Sequence, residues 1–313
     1  MRNEYWTDHR VGVLYTAGAY ILWGFLPLYW KLLDYVPSAE ILAHRILWSF
    51  IFVVLILAVA NKGKKFITEC KNVFTTKKAL FGVTASAVLI SCNWFVYIWA
   101  VNHDHIIEAS LGYYINPLVS VLLATIVLKE KLNYWQVIAF ILAGIGVLIL
   151  AIQYGQFPWV ALTLAISFGL YGLTKKLTKL DSLIGLTFET MIVVPIAIGY
   201  LFFLESDGMA TFFSASISTK LILVGAGIAT AMPLLWFANG AKRIPLSMIG
   251  ILQYIAPSIS LFLGVFLYHE HFTKIHMITF SLIWTALLIY SLSKTKLLVS
   301  AEQKFRKGKS FSA

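Results

Sequence analysis

The stretch Ser38–Ala60 reads SAEILAHRILWSFIFVVLILAVA. From Ile46 onward it carries no charge, and as a whole it exceeds the roughly 20 mostly apolar residues a helix needs to cross a bilayer. Yet Glu40, His44 and Arg45 stand at its start. Charge inside an apolar span is costly, by at least ~2.5 kcal/mol at the bilayer centre. Such side chains therefore face a bundle interior or snorkel to the surface.

The rest of the chain repeats the apolar theme. Of 313 residues, 59% are hydrophobic and 12% charged, against about 25% charged in an ordinary soluble domain. Mean hydropathy is +0.81. Ten apolar segments can be marked: Val11–Leu32, Ser38–Ala60, Lys78–Val101, Ile107–Leu128, Tyr134–Gln153, Pro158–Leu173, Leu183–Leu204, Leu221–Gly240, Pro245–Tyr268 and Thr273–Leu292. The fold class expected is an all-α membrane protein of ten transmembrane helices. The connections are too short for a soluble domain, a nucleotide-binding cassette or a sensor module. The first segment is long, holds Pro27 and Lys31 and lacks a small-x-small cleavage site, so it reads as a retained span. Cys70 and Cys92 do not suggest a disulfide framework.

A net charge of +11 invites a nucleic-acid partner, but the basic residues alternate between loops in the pattern that sets topology. Lys62, Lys64, Lys65, Lys71, Lys77 and Lys78 follow span two; Lys129 and Lys131 follow span four. Lys175, Lys176 and Lys179 follow span six, and Lys242 and Arg243 follow span eight. Of the 25 Lys and Arg, only Lys31, Lys220 and Lys274 fall on the other side, and Arg45 inside a span. This places both termini in the cytoplasm of a cell (inner) membrane protein. The basic tail, 293–313, is a solvated, headgroup-facing segment with no nucleic-acid role.

YINP at Tyr114–Pro117 returns as YIAP at Tyr254–Pro257, 140 residues later. A glutamate, Glu130 or Glu270, lies thirteen residues past each proline. Weaker echoes run in the same order: Trp94-Phe95 with Trp236-Phe237, Glu40 with Glu189, Gly24 with Gly172. Two halves of five spans, 11–153 and 158–292, must enter the membrane from opposite sides. Inverted repeats of this kind characterise secondary transporters that open one central site to either face.

Pro117 and Pro257 fall at mid-depth, where such sites lie. Each proline removes an N–H and displaces the carbonyl four residues earlier, at Tyr113 and Gln253. Tyr113, Asn116 and Pro117 share one helix face; Gln253, Ala256 and Pro257 share another, and the two faces are expected to meet across a cavity. Alternatively the prolines only kink the helices, with Asn116 and Gln253 as interhelical glue. Tyr254 and Asn93 join the candidate lining. Arg45 suits a carboxylate ligand, or else snorkels outward. Glu40 and His44, one turn apart, form a pH-sensitive pair near the outer surface, as gate or proton-linked group, or are simply interfacial. Glu189, two turns from the cytoplasmic end of span seven, is the stronger proton carrier. His103, His105 and Glu108 form a loose cluster better read as a solvated turn than a metal site, and HEH at His269–His271 lacks the i, i+4 spacing of a zinc helix. No nucleophile–base pair is in evidence, so no enzyme and no cofactor are expected.

The strings EILAHRILWSF, NWFVYIWAVN, EASLGYYINPLVSV, PLLWFANGAKR and LQYIAPS closely resemble the RarD-type branch (chloramphenicol-sensitivity proteins) of the drug/metabolite transporter superfamily, whose halves are EamA domains. The resemblance runs from about Val11 to Leu292. It implies a permease, with export the favoured direction, that moves small organic metabolites or drugs by alternating access. An uncoupled facilitator or channel is the alternative; a membrane sensor or intramembrane enzyme fits less well.

Overall fold

The computed structural model describes residues 2–103, 105–178, 180–267, 273–293 and 295. Glu270, the His269–His271 string, Lys179 and most of the basic tail lie outside the described residues. Every regular element among the described residues is helical, and ten helical segments are long and apolar enough to cross a membrane. They are α1 (Arg2–Lys31), α2 (Ser38–Val59), α4 (Lys77–Asn102), α5 (Ile106–Ile126), α6 (Tyr134–Tyr154), α7 (Trp159–Leu177), α8 (Ser182–Ser206), α10 (Ile217–Ala241), a composite ninth span and α13 (Lys274–Leu292). Helices are the natural solution here because a spanning segment must satisfy its own backbone in hydrocarbon.

Two short helices interrupt segments expected to be loops. α3 (Gly63–Thr75) follows α2 and is amphipathic. Phe66, Cys70 and Val73 fall on one face at i, i+4 and i+7, and the Phe66 ring packs 5.0 Å from Phe188 of α8. Lys64, Lys65 and Lys71 lie among the polar residues of this amphipathic helix. The other, α9 (Thr211–Ser214), lies between α8 and α10.

The two proline strings behave differently. α5 runs unbroken through Pro117. The ninth span breaks into α11 (Leu246–Leu252) and α12 (Ile255–Phe262), followed by a π turn at Leu263–Leu267. The Gln253 carbonyl, displaced from its helical partner by Pro257, is not left open: it accepts the Ala256 N–H at 3.3 Å in a tighter turn.

α2 packs against α8 and α10, α5 against α7 and α11, and α6 against α13, while α1 packs against α10 and α12 and α4 against α7 and α8. Two crossings depend on glycine. A Cβ on Gly227 would sit 2.3 Å from the Trp48 carbonyl carbon, and one on Gly250 would sit 2.8 Å from the Pro117 oxygen. Small residues let membrane helices approach backbone to backbone. Large apolar side chains such as Leu14, Leu55, Ile196 and Phe202 stay exposed on the outer surface, where lipid replaces water.

Candidate solute-binding cavity

A cavity of about 330 Å³ opens among α1, α2, α4, α5, α7, α10 and the broken ninth span. It reaches the middle of the helices and lies in the half of the bundle where α1 and α4 end and α2, α5 and α7 begin. Tyr20, Trp23, Trp30, Trp94, Tyr97, Tyr113, Tyr114 and Phe168 give it aromatic walls; Asn93, Asn116, Ser110, Thr230, Gln253 and Ser260 add uncharged polar groups. Arg45 is the lone ionisable side chain of Lys, Arg, His, Asp or Glu type among the lining residues.

Arg45 is positioned by its neighbours. Gly227 draws α10 against α2, and Ser49 Oγ donates to the Gly227 carbonyl at 3.1 Å. One turn along α10, Thr230 Oγ1 accepts from Arg45 Nε at 3.0 Å. The guanidinium carbon lies 4.5 Å from the Trp30 ring centroid and 5.5 Å from that of Trp94. Indole faces attract a cation and offset part of its desolvation.

Several anticipated residues meet at the cavity: Arg45, Asn93, Tyr113, Asn116, Gln253 and Pro257 all line it. Their polar atoms are not equally free. Asn93 Nδ2 donates to the Leu164 carbonyl at 2.9 Å and to Ser167 Oγ at 3.0 Å, tying α4 to α7. Gln253 Oε1 accepts from Ser120 Oγ at 3.0 Å, so α5 and the ninth span touch directly instead of facing each other across open space. Asn116 Oδ1 is buried without a hydrogen-bond partner among the described residues. Tyr113 is half-exposed and meets Tyr97 edge-on at 6.0 Å.

Others sit elsewhere. Tyr254 does not line the cavity: the helix break buries its ring completely and points its hydroxyl at the Tyr114 carbonyl, 3.3 Å away. Pro117 lies behind the lining, against Gly250. Glu40 is fully buried, and its Oε1 caps α9 by accepting the N–H groups of Thr211 and Phe212 at 2.8 and 3.0 Å. His44 Nε2 is 3.9 Å from that oxygen. Trp48 Nε1 can only donate, so His44 accepts through Nδ1 at 3.3 Å and carries its proton on Nε2, toward Glu40. Glu108 is not a solvated turn residue: 1% exposed, it accepts from the Val160 N–H at 2.7 Å at the start of α7, from Tyr154 Oη at 3.0 Å, and pairs with His105 at 3.1 Å.

Glu189 pairs with Lys175 at 2.5 Å, both all but buried, and accepts from Tyr171 Oη at 3.2 Å. An aromatic stack connects this pair to the cavity floor. Tyr171 lies parallel to Phe237 at 5.9 Å, Phe237 contacts Trp23 at 5.8 Å and Phe168 at 5.5 Å, and the last two line the cavity. Sequence reasoning missed Lys175 as Glu189's partner, because the lysine was counted with its loop. It also left Trp23, Trp30, Tyr97 and Thr230 unassigned. The Gly227-x-x-Thr230 spacing on α10 was the one available signal for the last.

At the same end of the bundle, Asp181 holds Lys62 at 2.9 Å and Lys65 at 4.0 Å. Burial acts to raise the Asp181 carboxyl, but the Lys62 ammonium and the N–H groups of Leu183 and Ile184 outweigh it, and its pKa lies below the usual carboxylate range. Glu130 caps α11 through the N–H groups of Leu246 and Ser247 at 2.8 and 3.1 Å.

A bundle of ten apolar helices around a mid-depth aromatic cavity is the architecture of a polytopic membrane transporter, and sequence similarity gives the same class. Residues 10–152 match the EamA-like transporter family. Along its length the chain is 53% identical to the transporter YojE of Bacillus subtilis over 289 residues, covering 92% of this chain and 96% of that one. It is 42% identical to protein RarD of Escherichia coli, over 90% of this chain and 94% of the relative. It is 28% identical to the chloramphenicol-sensitive protein RarD of Pseudomonas aeruginosa, over 92% and 95%. A protein of known crystal structure superposes with a TM-score of 0.69 at 18% identity, over 91% of this chain and 98% of its own, which shows the same fold. The chain belongs to the EamA-like transporter family, in its RarD-type branch.

Proposed function

We propose that this protein is a secondary transporter of the cell (inner) membrane that exports small organic solutes by alternating access. The cavity, walled by spans from both halves of the chain, is the observation that carries the reading. Arg45, Asn93, Tyr113, Asn116 and Gln253 are its candidate substrate contacts.

Alternating access rests on two inverted five-helix repeats, 11–153 and 158–292, with both termini cytoplasmic and the basic residues crowded on that side. Packing supports the repeat. If the spans are counted one to ten, adding five to each number turns the pairing of one with eight into six with three, four with six into nine with one, and two with eight into seven with three; all are observed. Two-with-seven, four-with-nine and five-with-ten map onto themselves, and these too are observed. The locks between halves follow the same exchange. Glu40, at the start of span two, holds the short helix after span seven, while Asp181, at the start of span seven, holds the lysines leading into α3 after span two. We assign these as the gates, with His44 beside the outer one. Proton coupling is assigned to Glu189, whose protonation would release Lys175 and loosen the aromatic stack under the cavity.

The test is efflux from proteoliposomes loaded with amino acids, aromatic metabolites and chloramphenicol, read by mass spectrometry with and without an inward proton gradient. Faster loss of one solute than from protein-free vesicles is expected, and the gradient should accelerate it. If no solute moves, the transporter mechanism fails. If Glu189→Gln leaves gradient-driven efflux intact, the carrier assignment fails alone.

A further inference from the structure

We propose that the cavity binds an organic acid bearing one or two planar rings, its carboxylate on Arg45 and its ring among the indoles, and that it rejects organic cations. This rests on the transporter reading and names its substrate class. The first argument is the state of Arg45. Its Nε is committed to Thr230, and two tryptophan faces flank the guanidinium. Its two terminal nitrogens make no hydrogen bond among the described residues, and no described carboxylate lies within ion-pair distance. Lys175, which is buried, is treated oppositely, with a carboxylate 2.5 Å away. A cation held at membrane depth without a counter-ion marks a place where a mobile anion is received. A guanidinium fork offers two parallel N–H groups that match a carboxylate.

The second argument is what the walls lack. No aspartate or glutamate is among the described lining residues. A cationic guest would meet the like charge of Arg45, which already engages the Trp30 and Trp94 rings, with no described lining carboxylate to offset it. The third is size and shape. At about 330 Å³ the cavity sits near the lower end of the ~300–1,000 Å³ range of small-molecule sites. Trp23, Trp30, Trp94, Tyr97, Tyr113 and Phe168 are among its lining residues, so much of its wall is made of planar rings.

The deciding measurement is calorimetric binding to the purified full chain in detergent at pH 7, using three matched probes: 3-phenylpropionate, 3-phenylpropionamide and 3-phenylpropylamine. The acid is expected to bind at least about tenfold more tightly than the amide, the effect of a charge-assisted hydrogen bond, and the amine not at all. Arg45→Gln should bring the acid down to the affinity of the amide, and Arg45→Lys should recover part of the difference. Equal binding of acid and amide, tighter binding of the amine, no binding of any probe, or an acid preference that survives Arg45→Gln overturns the proposal. The wild-type comparison decides even if the variants do not fold. Counterflow in proteoliposomes separates this claim from the one beneath it. If neutral or cationic solutes exchange and acids do not, the substrate class is wrong and the transporter stands. If the acid binds yet no solute of any charge exchanges, the site stands and the transport mechanism falls.

Discussion

Arg45 and Lys175 are two cations placed in apolar spans, and the protein handles them in opposite ways. Lys175 and Glu189 close on each other at 2.5 Å, with Tyr171 filling a further position on the carboxylate. Arg45 is given two indoles and a threonine hydroxyl but, among the described residues, no carboxylate. A self-neutralised pair asks nothing of a ligand; it fixes geometry and yields only to a proton. A lone guanidinium on a cavity wall has its electrostatic demand unmet until something enters. The difference separates a structural or coupling element from a binding element, and it can be probed by removing charges one at a time.

The largest effect is expected at the closed pair. Lys175→Met leaves a buried carboxylate, and Glu189→Leu a buried ammonium; either should destabilise the protein by about 3–5 kcal/mol. The double variant should regain most of that loss, since both charges are then gone. Thermal unfolding in detergent, followed by tryptophan fluorescence, reads the cycle. A double variant as damaged as the sum of the singles would mean that the two side chains do not depend on each other, and the comparison would collapse.

Next comes the crossing that holds Arg45 in place. Gly227→Val puts branched carbon where Trp48 backbone already lies 2.3 Å from a modest Cβ, and overpacking of this kind costs about 1–3 kcal/mol. Separation of α10 from α2 also takes Thr230 away from Arg45 Nε. The variant should therefore lose solute affinity beyond what its lower unfolding temperature explains. Wild-type stability would show that the two helices can part freely and that Thr230 is not held in register.

Arg45→Met carries a smaller prediction with the opposite emphasis. Replacing an unpaired charge by an apolar side chain of similar length should leave stability within about 1 kcal/mol of wild type, or raise it. A loss as large as that of Lys175→Met would show that Arg45 has a structural partner after all and is not reserved for a ligand.

These two charges also mark how far the sequence could be read. Ten spans are legible because twenty-residue apolar runs have few other uses, and Arg45, Asn93, Tyr113, Asn116 and Gln253 stand out as candidates because polar residues inside such runs are rare. Lys175 was not found as a partner because its position, two residues from the end of α7, is equally that of a topology-setting loop lysine. Glu40 drew attention as an intramembrane acid, but its actual work, capping α9, depends on a four-residue helix 171 positions away that has no hydrophobic signature. Tyr254 was misplaced because a proline was read as a kink in a continuous helix, whereas the chain breaks at Gln253 and Tyr254 and rotates that ring away from the cavity. α3 escaped because its periodicity is a surface one, with three lysines in thirteen residues, and lies between two stronger signals.

The smallest effect concerns Lys242, just past the end of α10, whose Nζ donates to the Leu180 carbonyl. Burial, and then repulsion from Lys175, lowers its pKa to about 8, against about 10.4 for an ordinary lysine. Below pH 8 it is protonated both folded and unfolded, and the folded state bears the full penalty of holding that charge. Between about pH 8 and 10.4 the unfolded chain keeps the proton and the folded chain does not, so stability rises with pH across this window. Lys242→Met should remove that slope. Its advantage over wild type in unfolding temperature should be greatest near pH 7 and fade toward pH 10. Parallel curves for the two proteins from pH 7 to 10 would mean that Lys242 is solvated like any loop lysine. Lys242 would then give no support to the contrast between charges the bundle neutralises and the one it leaves open.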